Sequence, residues 1–100
     1  MIKFRFLPDA EAELLKEVMY FSAAGTGLGI KFQRAVESAV NMAVANPTGG
    51  APSTGGTRRR LVKGFPFSVV YRASATEILV VAVVHHRRRP GYWVSRIEGG

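Results

Sequence analysis

The chain has 100 residues, no cysteine and a formal net charge of +7, so it fits one small domain and excludes a disulfide framework or thiolate chemistry. A hydrophobic fraction of 47% indicates a folded protein, and its apolar stretches fall short of the roughly 20 residues that a membrane-spanning helix needs. Because the N-terminus also lacks the features of a signal peptide, we expect a soluble protein of the reducing cytoplasm, without membrane contact.

Charge is distributed unequally along the chain. Residues 1–57 hold five Lys/Arg and five Asp/Glu, whereas residues 58–100 hold nine against two. This asymmetry predicts a polyanionic target or a strongly acidic partner. A merely solvated basic surface is the alternative, which we favour less because the cations cluster in two short runs, "RRR" at 58–60 and "RRR" at 87–89.

The N-terminal half predicts a strand followed by two helices. Apolar and basic residues alternate in "IKFRFL" (2–7), which is typical of a strand with one solvated face. Pro8 and Asp9 begin a helix that continues to "AAGTG", and an apolar stripe at i, i+4 spacing predicts a second helix over about 28–46. Two helices joined by a short Gly-containing turn should pack as an antiparallel hairpin. Three of their apolar residues are assigned to the core: Met19, Phe32 and Met42.

The C-terminal half predicts a loop and three strands. "NPTGGAPSTGG" is rich in Gly and Pro, so residues 47–57 should form an exposed loop within a single domain spanning 1–100. "RRRLV", "FPFSVVYR" and "EILVVAVV" follow as strands, with "ASAT" as a turn between the last two. The last segment is apolar on both faces, which indicates a central strand covered by helices on one side and by further structure or a partner on the other. The predicted order is β-α-α-β-β-β.

This order, together with "FPFSVVYR" and "VVAVVHHRRRPGYWVSR", resembles the toxins of bacterial type II toxin–antitoxin pairs in the ParE/RelE superfamily. The resemblance covers essentially the whole chain, including "LPDAEAEL" at the start of the hairpin and "LGIKF" at the start of the second helix. It implies an α+β fold in which a mostly antiparallel sheet packs against the N-terminal helical hairpin. It also implies a cognate antitoxin that neutralises the toxin.

The superfamily divides into two activities. RelE-like members cleave messenger RNA in the ribosomal decoding site, whereas ParE-like members poison DNA gyrase. Metal-free RNA cleavage needs cations that hold the phosphate and a group that carries a proton. The arginine that RelE-like members carry in "PFSVVY" falls on Ser68, and their tyrosine position falls on Trp93, whose indole does not exchange a proton near neutral pH. The chain is therefore nearer ParE, with DNA gyrase as the expected target.

A ribosome-dependent, mRNA-cleaving endoribonuclease is the alternative. It would use Arg87 for the phosphate and His86 or Tyr92 as the proton carrier. Against it, the lysines that the family carries on its middle strands have no clear equivalents here, since Arg59 and Lys63 match their positions only approximately. Arginine is also too weak an acid to replace lysine in proton transfer. The two adjacent histidines should point to opposite faces of a strand and so cannot both serve one site. For a gyrase inhibitor we expect no catalytic residue, no metal and no cofactor.

The expected function rests on a basic contact surface. If the strands that the two arginine runs flank lie side by side, one edge of the sheet carries concentrated positive charge. Pro90 and Gly91 break the last strand, and the two rings after them either fold over the core or anchor an interface. The expected partners are an acidic antitoxin tail and gyrase, or in the alternative the ribosome and mRNA. The predicted contact residues are Arg58, Arg59, Arg60, Lys63, Arg87, Arg88, Arg89, Tyr92 and Trp93.

A basic nucleic-acid-binding module without toxicity is a third interpretation. It is consistent with the composition, but the sequence does not predict the exposed aromatic platform on which single-strand binders stack bases.

Overall fold

The computed structural model describes residues 2–98, which form a helical hairpin packed on a five-stranded sheet. The elements in chain order are β1 (Lys3–Phe6), α1 (Pro8–Ala24), α2 (Leu28–Ala45), β2 (Ala51–Ser53), β3 (Thr57–Val62), β4 (Phe67–Ala73), β5 (Glu77–His85) and a 3₁₀ turn (Val94–Arg96). The sheet has the order β1-β5-β4-β3-β2, in which only the β1–β5 pair is parallel. The predicted fold class is confirmed. Across residues 2–98, no helix combines the length and the apolarity needed to cross a membrane.

The segment 47–57 is not the uniform exposed loop that its composition predicted. Ala51–Ser53 forms an edge strand that pairs with β3, so the sheet has one strand more than expected. The hydroxyl of the buried Tyr71 donates to the Pro47 carbonyl at 2.9 Å and accepts the Gly50 N–H at 3.2 Å. These two bonds fix the loop against β4. Because Tyr71 lies more than twenty positions after the loop residues that it binds, no local sequence pattern predicts this contact.

The hairpin depends on a close approach of its two helices. Gly27 ends the turn in the left-handed region, with φ at 77°, a conformation that favours glycine. Two residues later, a Cβ on Gly29 would overlap Ser22 Oγ and lie 2.7 Å from the Val18 carbonyl oxygen. A side chain at this position would therefore push α2 away from α1.

The layer between helices and sheet is rich in aromatic rings. Phe32 is fully buried, with its centroid 5.0 Å from that of Phe21 and 5.0 Å from that of Phe67, as predicted for a core residue. Met19 and Met42 are 72% and 54% exposed, so their assignment to the core was wrong. Each lies just outside the arc of its helix that faces the sheet, beyond the reach of the core.

The apolar character of β5 on both faces has a structural explanation. Residues 78–84 are all buried. The hairpin covers one face, where Val80 and Val83 belong to the main core. The chain that follows β5, here called the C-terminal segment (86–98), covers the other, where Trp93 belongs to a second cluster with Leu79 and Val81. The prediction of a central strand covered on both sides is confirmed, and the second cover belongs to the same chain.

Candidate functional site

The C-terminal segment is tied to the hairpin by a carboxylate on α1. Strand β1 pairs with β5 only as far as Val80, which leaves the next backbone groups along that edge without a strand partner. Glu13 accepts the Val83 N–H at 3.0 Å, and Arg96 donates to the Val81 carbonyl at 2.9 Å. Buried backbone groups need such partners. The two side chains thus complete the edge of β5.

The same carboxylate binds two side chains of the C-terminal segment. Its oxygens accept the Tyr92 hydroxyl at 2.6 Å and both terminal nitrogens of Arg96 at 2.9 Å. Burial alone would raise the pKa of Glu13, but these bonds and the Val83 N–H hold that pKa below its ordinary value. The Glu13–Arg96 pair is therefore charged at neutral pH, and it fixes the C-terminal segment on the sheet.

Tyr92 is occupied by this network. Burial and donation to the Glu13 carboxylate raise the pKa of the Tyr92 phenol far above its ordinary value. Arg88 lies 4.1 Å and Arg96 lies 5.1 Å from the centroid of its ring. The ring stacks with these guanidiniums, and its hydroxyl is committed to a structural bond.

Trp93 is part of the core. Its side chain is 3% exposed and its Nε1–H donates to the Thr54 carbonyl at 3.2 Å. Of the two alternatives for this ring, the structure supports the one in which it folds over the core, because the ring packs the C-terminal segment onto the sheet and onto the loop before β3.

A cleft lies where the C-terminal segment meets β3 and β4, on the sheet face away from the helices. It consists of two adjoining depressions that share Arg59 and His86. We call it the outer groove. Its lining residues include Ser53, Thr54, Arg59, Leu61, Ser68, His86 and Arg88.

The two histidines have different hydrogen-bond partners, but both line the outer groove, so the prediction that they cannot share one site is not confirmed: β5 ends at His85, and His86 lies in the turn after it. His86 Nε2 lies 2.9 Å from Ser68 Oγ in the outer groove. The ring of His85 packs edge-on against Phe67, and its Nδ1 accepts the Arg87 N–H at 3.0 Å. Part of His85 also lines the groove wall. Ser68, where RelE-like enzymes carry arginine, thus places a neutral hydroxyl beside an imidazole.

The predicted arginine surface is divided by the fold. Arg58 donates to the Gly50 carbonyl at 2.8 Å and Arg60 donates to the Asn46 carbonyl at 3.2 Å, at the C-terminal end of α2. These two arginines stabilise the loop and the helix end. Lys63 lines a separate cleft against α2. Of the four predicted cations at 58–63, only Arg59 lies in the outer groove.

The expected pairing of the arginine-bearing strands was also wrong, because β4 separates β3 from β5. The positive charge gathers on a face of the sheet instead of at an edge. Arg59 reaches the groove from β3, and Arg88 reaches it from the turn after β5, where Arg87 and Arg89 are exposed on either side.

Two residues of this region were not predicted. Glu13 carried a detectable signal, because it lies three residues after the buried Ala10, on the side of α1 that faces the sheet. No sequence signal pointed to Arg96, because its bond to the Val81 carbonyl is needed only where the pairing of β1 with β5 ends. Residues 2–98 hold two further ion pairs, Arg96 with Asp9 at 3.6 Å and Arg5 with Glu77 at the surface, and none of the ion pairs in this range involves the groove arginines.

A second, apolar cleft lies beside the open edge of β1, lined mainly by Phe4, Phe6, Leu14 and Val40. Phe4 is 50% exposed, although the alternation of β1 placed it with Ile2 and Phe6 on one face. Leu15 and Met19 are further exposed apolar side chains, on α1. We call this cleft the β1 groove.

Comparison with known proteins places the chain in a family. The family described as "ParE toxin of type II toxin-antitoxin system, parDE" matches residues 4–90. A solved structure, "Chromosomal ParDE TA system from P. aeruginosa", is similar with a TM-score of 0.73 and 24% sequence identity, over 85% of this chain and 96% of that chain. A search among curated proteins finds no match. The chain therefore belongs to the ParE toxin family of type II toxin–antitoxin systems.

Proposed function

We propose that this toxin acts in the cytoplasm by binding and poisoning DNA gyrase, and that a cognate antitoxin holds it inactive. Membership of the ParE family supports this function. We choose gyrase over RNA cleavage because the Tyr92 hydroxyl is held in a structural hydrogen bond. This hydroxyl is bonded to Glu13 at 2.6 Å, at the edge of β5, with a raised pKa. A phenol held in this way is a poor proton carrier at neutral pH.

The composition of the outer groove supports the same choice. RNA cleavage needs a group that removes the proton of the 2′-hydroxyl and another that protonates the leaving oxygen. Ser68 and the guanidiniums of Arg59 and Arg88 perform neither step near neutral pH, because a hydroxyl and a guanidinium hold their protons too tightly. Proton transfer in the groove would therefore fall to the imidazoles of His85 and His86, and among residues 2–98 no lysine or carboxylate lines the groove beside them. We infer that this surface binds its target without changing it chemically.

The antitoxin is proposed to cover the β1 groove and the hairpin. An acidic, partly disordered tail complements a toxin of net charge +7. Its apolar residues would bury Phe4, Leu15 and Met19, which are 50%, 55% and 72% exposed. The open edge of β1 offers backbone groups to an added strand. Burial of this surface would order the tail on binding.

One observation favours the alternative, a ribosome-dependent endoribonuclease. His86 shares the outer groove with Arg59 and Arg88, so an imidazole lies on the same surface as two cations that could hold a phosphate. A ribonuclease of this kind would use His86 as base, and its activity would be lost in His86→Gln.

Parallel assays of the purified toxin separate the two functions. We expect linear DNA when the toxin is incubated with gyrase and supercoiled plasmid, and suppression of that product by the antitoxin. Reporter messages on translating ribosomes should remain intact, as judged by primer extension. Plasmid left uncut, together with messages cut in the ribosomal A site, would establish the ribonuclease instead.

A further inference from the structure

We propose that the outer groove binds the phosphate backbone of duplex DNA directly, so that the toxin contacts the DNA on which gyrase acts. This inference rests on the proposed gyrase function and adds a second binding partner to it. It concerns the surface formed by Arg59 and Arg88 with the flanking Arg87 and Arg89.

The charge of the groove is uncompensated. Its lining residues include two arginines and no Asp or Glu. The three ion pairs of residues 2–98 involve only Arg5 and Arg96 among the arginines. Glu77 begins β5 at the end remote from the groove, and the other carboxylates of residues 2–98 lie on the helices or at Glu98. A polyanion approaching this face therefore meets cations whose charge is not already paired.

The groove arginines are held by the fold. Arg59 projects from a paired position in the middle of β3. The guanidinium of Arg88 lies 4.1 Å from the ring centroid of Tyr92, which is itself fixed by its bond to Glu13. Stacking on a ring leaves the N–H groups of a guanidinium free to donate. An arginine on a paired strand and an arginine stacked on a fixed ring suit phosphate oxygens, which accept guanidinium donors in bidentate fashion.

The rings beside the groove favour duplex DNA over single-stranded nucleic acid. Single-strand binders offer exposed aromatic faces on which bases stack. Here Trp93 is 3% exposed and Tyr92 is covered by Arg88. The hydroxyl-bearing side chains of Ser53 and Thr54 complete a wall suited to backbone contacts. We expect sequence-independent binding through phosphates.

The test is the salt dependence of DNA binding, measured without gyrase by fluorescence anisotropy with a short labelled duplex. Each phosphate contact contributes about 0.9 to the slope of log K against log salt. The double variant R59Q/R88Q should therefore lower the magnitude of the slope by about 1.8. K31Q/R34Q is the matched control, because it removes the same charge from exposed positions on α2 and should leave the slope unchanged.

Several outcomes would overturn the inference. Equal losses in R59Q/R88Q and K31Q/R34Q would mean that net charge, not the groove, attracts DNA. No binding of the duplex by the wild-type toxin would exclude the site, while the plasmid assay with gyrase would still decide the proposed function separately. Tighter binding of a single-stranded RNA of equal length would assign the groove to RNA. If R59Q/R88Q fails to fold by circular dichroism, R87Q/R89Q should show the same loss of slope.

Discussion

Replacing Glu13 by glutamine should loosen the C-terminal segment and destabilise the whole domain. The change leaves Arg96, whose side chain is 16% exposed, without the carboxylate that binds it at 2.9 Å. Removal of one partner from a buried ion pair costs about 3–5 kcal/mol. The partial exposure of both side chains, 16% and 18%, places the expected loss near the lower end, at about 3 kcal/mol. For a domain of this size, that corresponds to a fall in Tm of about 12–24 °C.

Urea and thermal unfolding followed by circular dichroism measure this loss directly. Glu37→Gln is the control, because Glu37 is exposed on α2 and its replacement should change stability by less than about 0.5 kcal/mol. A double-mutant cycle of Glu13→Gln with Arg96→Gln should give a coupling energy of about 1–3 kcal/mol. A loss no larger than that of the control, with no coupling, would refute the view that this pair holds the C-terminal segment.

Three further predictions follow from the same contacts. The pKa of Glu13 in the folded protein lies below its ordinary value of 4.5, so on acidification the unfolded chain binds a proton on Glu13 before the folded protein does. The stability that the Glu13 carboxylate contributes above pH 4.5 should therefore be lost as the pH falls through the pKa of the folded state. Glu13→Gln should flatten this part of the acid-unfolding curve. Tyr92→Phe should cost about 1.5–3 kcal/mol of stability through the lost hydrogen bond to the charged Glu13 carboxylate, and plasmid cleavage with gyrase should persist. Gly29→Ala should cost about 1–3 kcal/mol in thermal melts, since its methyl group meets Ser22 and the Val18 carbonyl; a wild-type Tm would contradict the close helix approach.

Most of the fold could be predicted from periodicity. The helices begin at Pro8 and Leu28, as expected, because capping and apolar spacing act over neighbouring residues. Strand β2 could not be predicted, since it depends on the hydroxyl of Tyr71, which is distant in sequence. Met19 was placed wrongly because one residue step turns a helix by about 100°, enough to move a side chain from the core to the surface.

The sequence predicted which residues supply the positive charge of the toxin, but not how the fold distributes them over its surface. Consecutive residues of a strand point to opposite faces, so the predicted strand over "RRRLV" (58–62) already implied that Arg59 would separate from Arg58 and Arg60. The position of Arg88 beside Arg59 depends on the path of the chain after β5, which the bonds of Glu13 determine. Such long-range bonds leave no local pattern in the sequence.

This ParE toxin is proposed to act as a binding surface and to perform no proton transfer of its own. The double variant His86→Gln/Tyr92→Phe, which removes both candidate proton carriers of the alternative, tests this proposal most directly in the gyrase and plasmid assay. We predict that the folded, antitoxin-binding variant still yields linear plasmid at close to the wild-type level. Complete loss of plasmid cleavage in a variant that folds, binds the antitoxin and binds duplex DNA like the wild type would contradict this proposal.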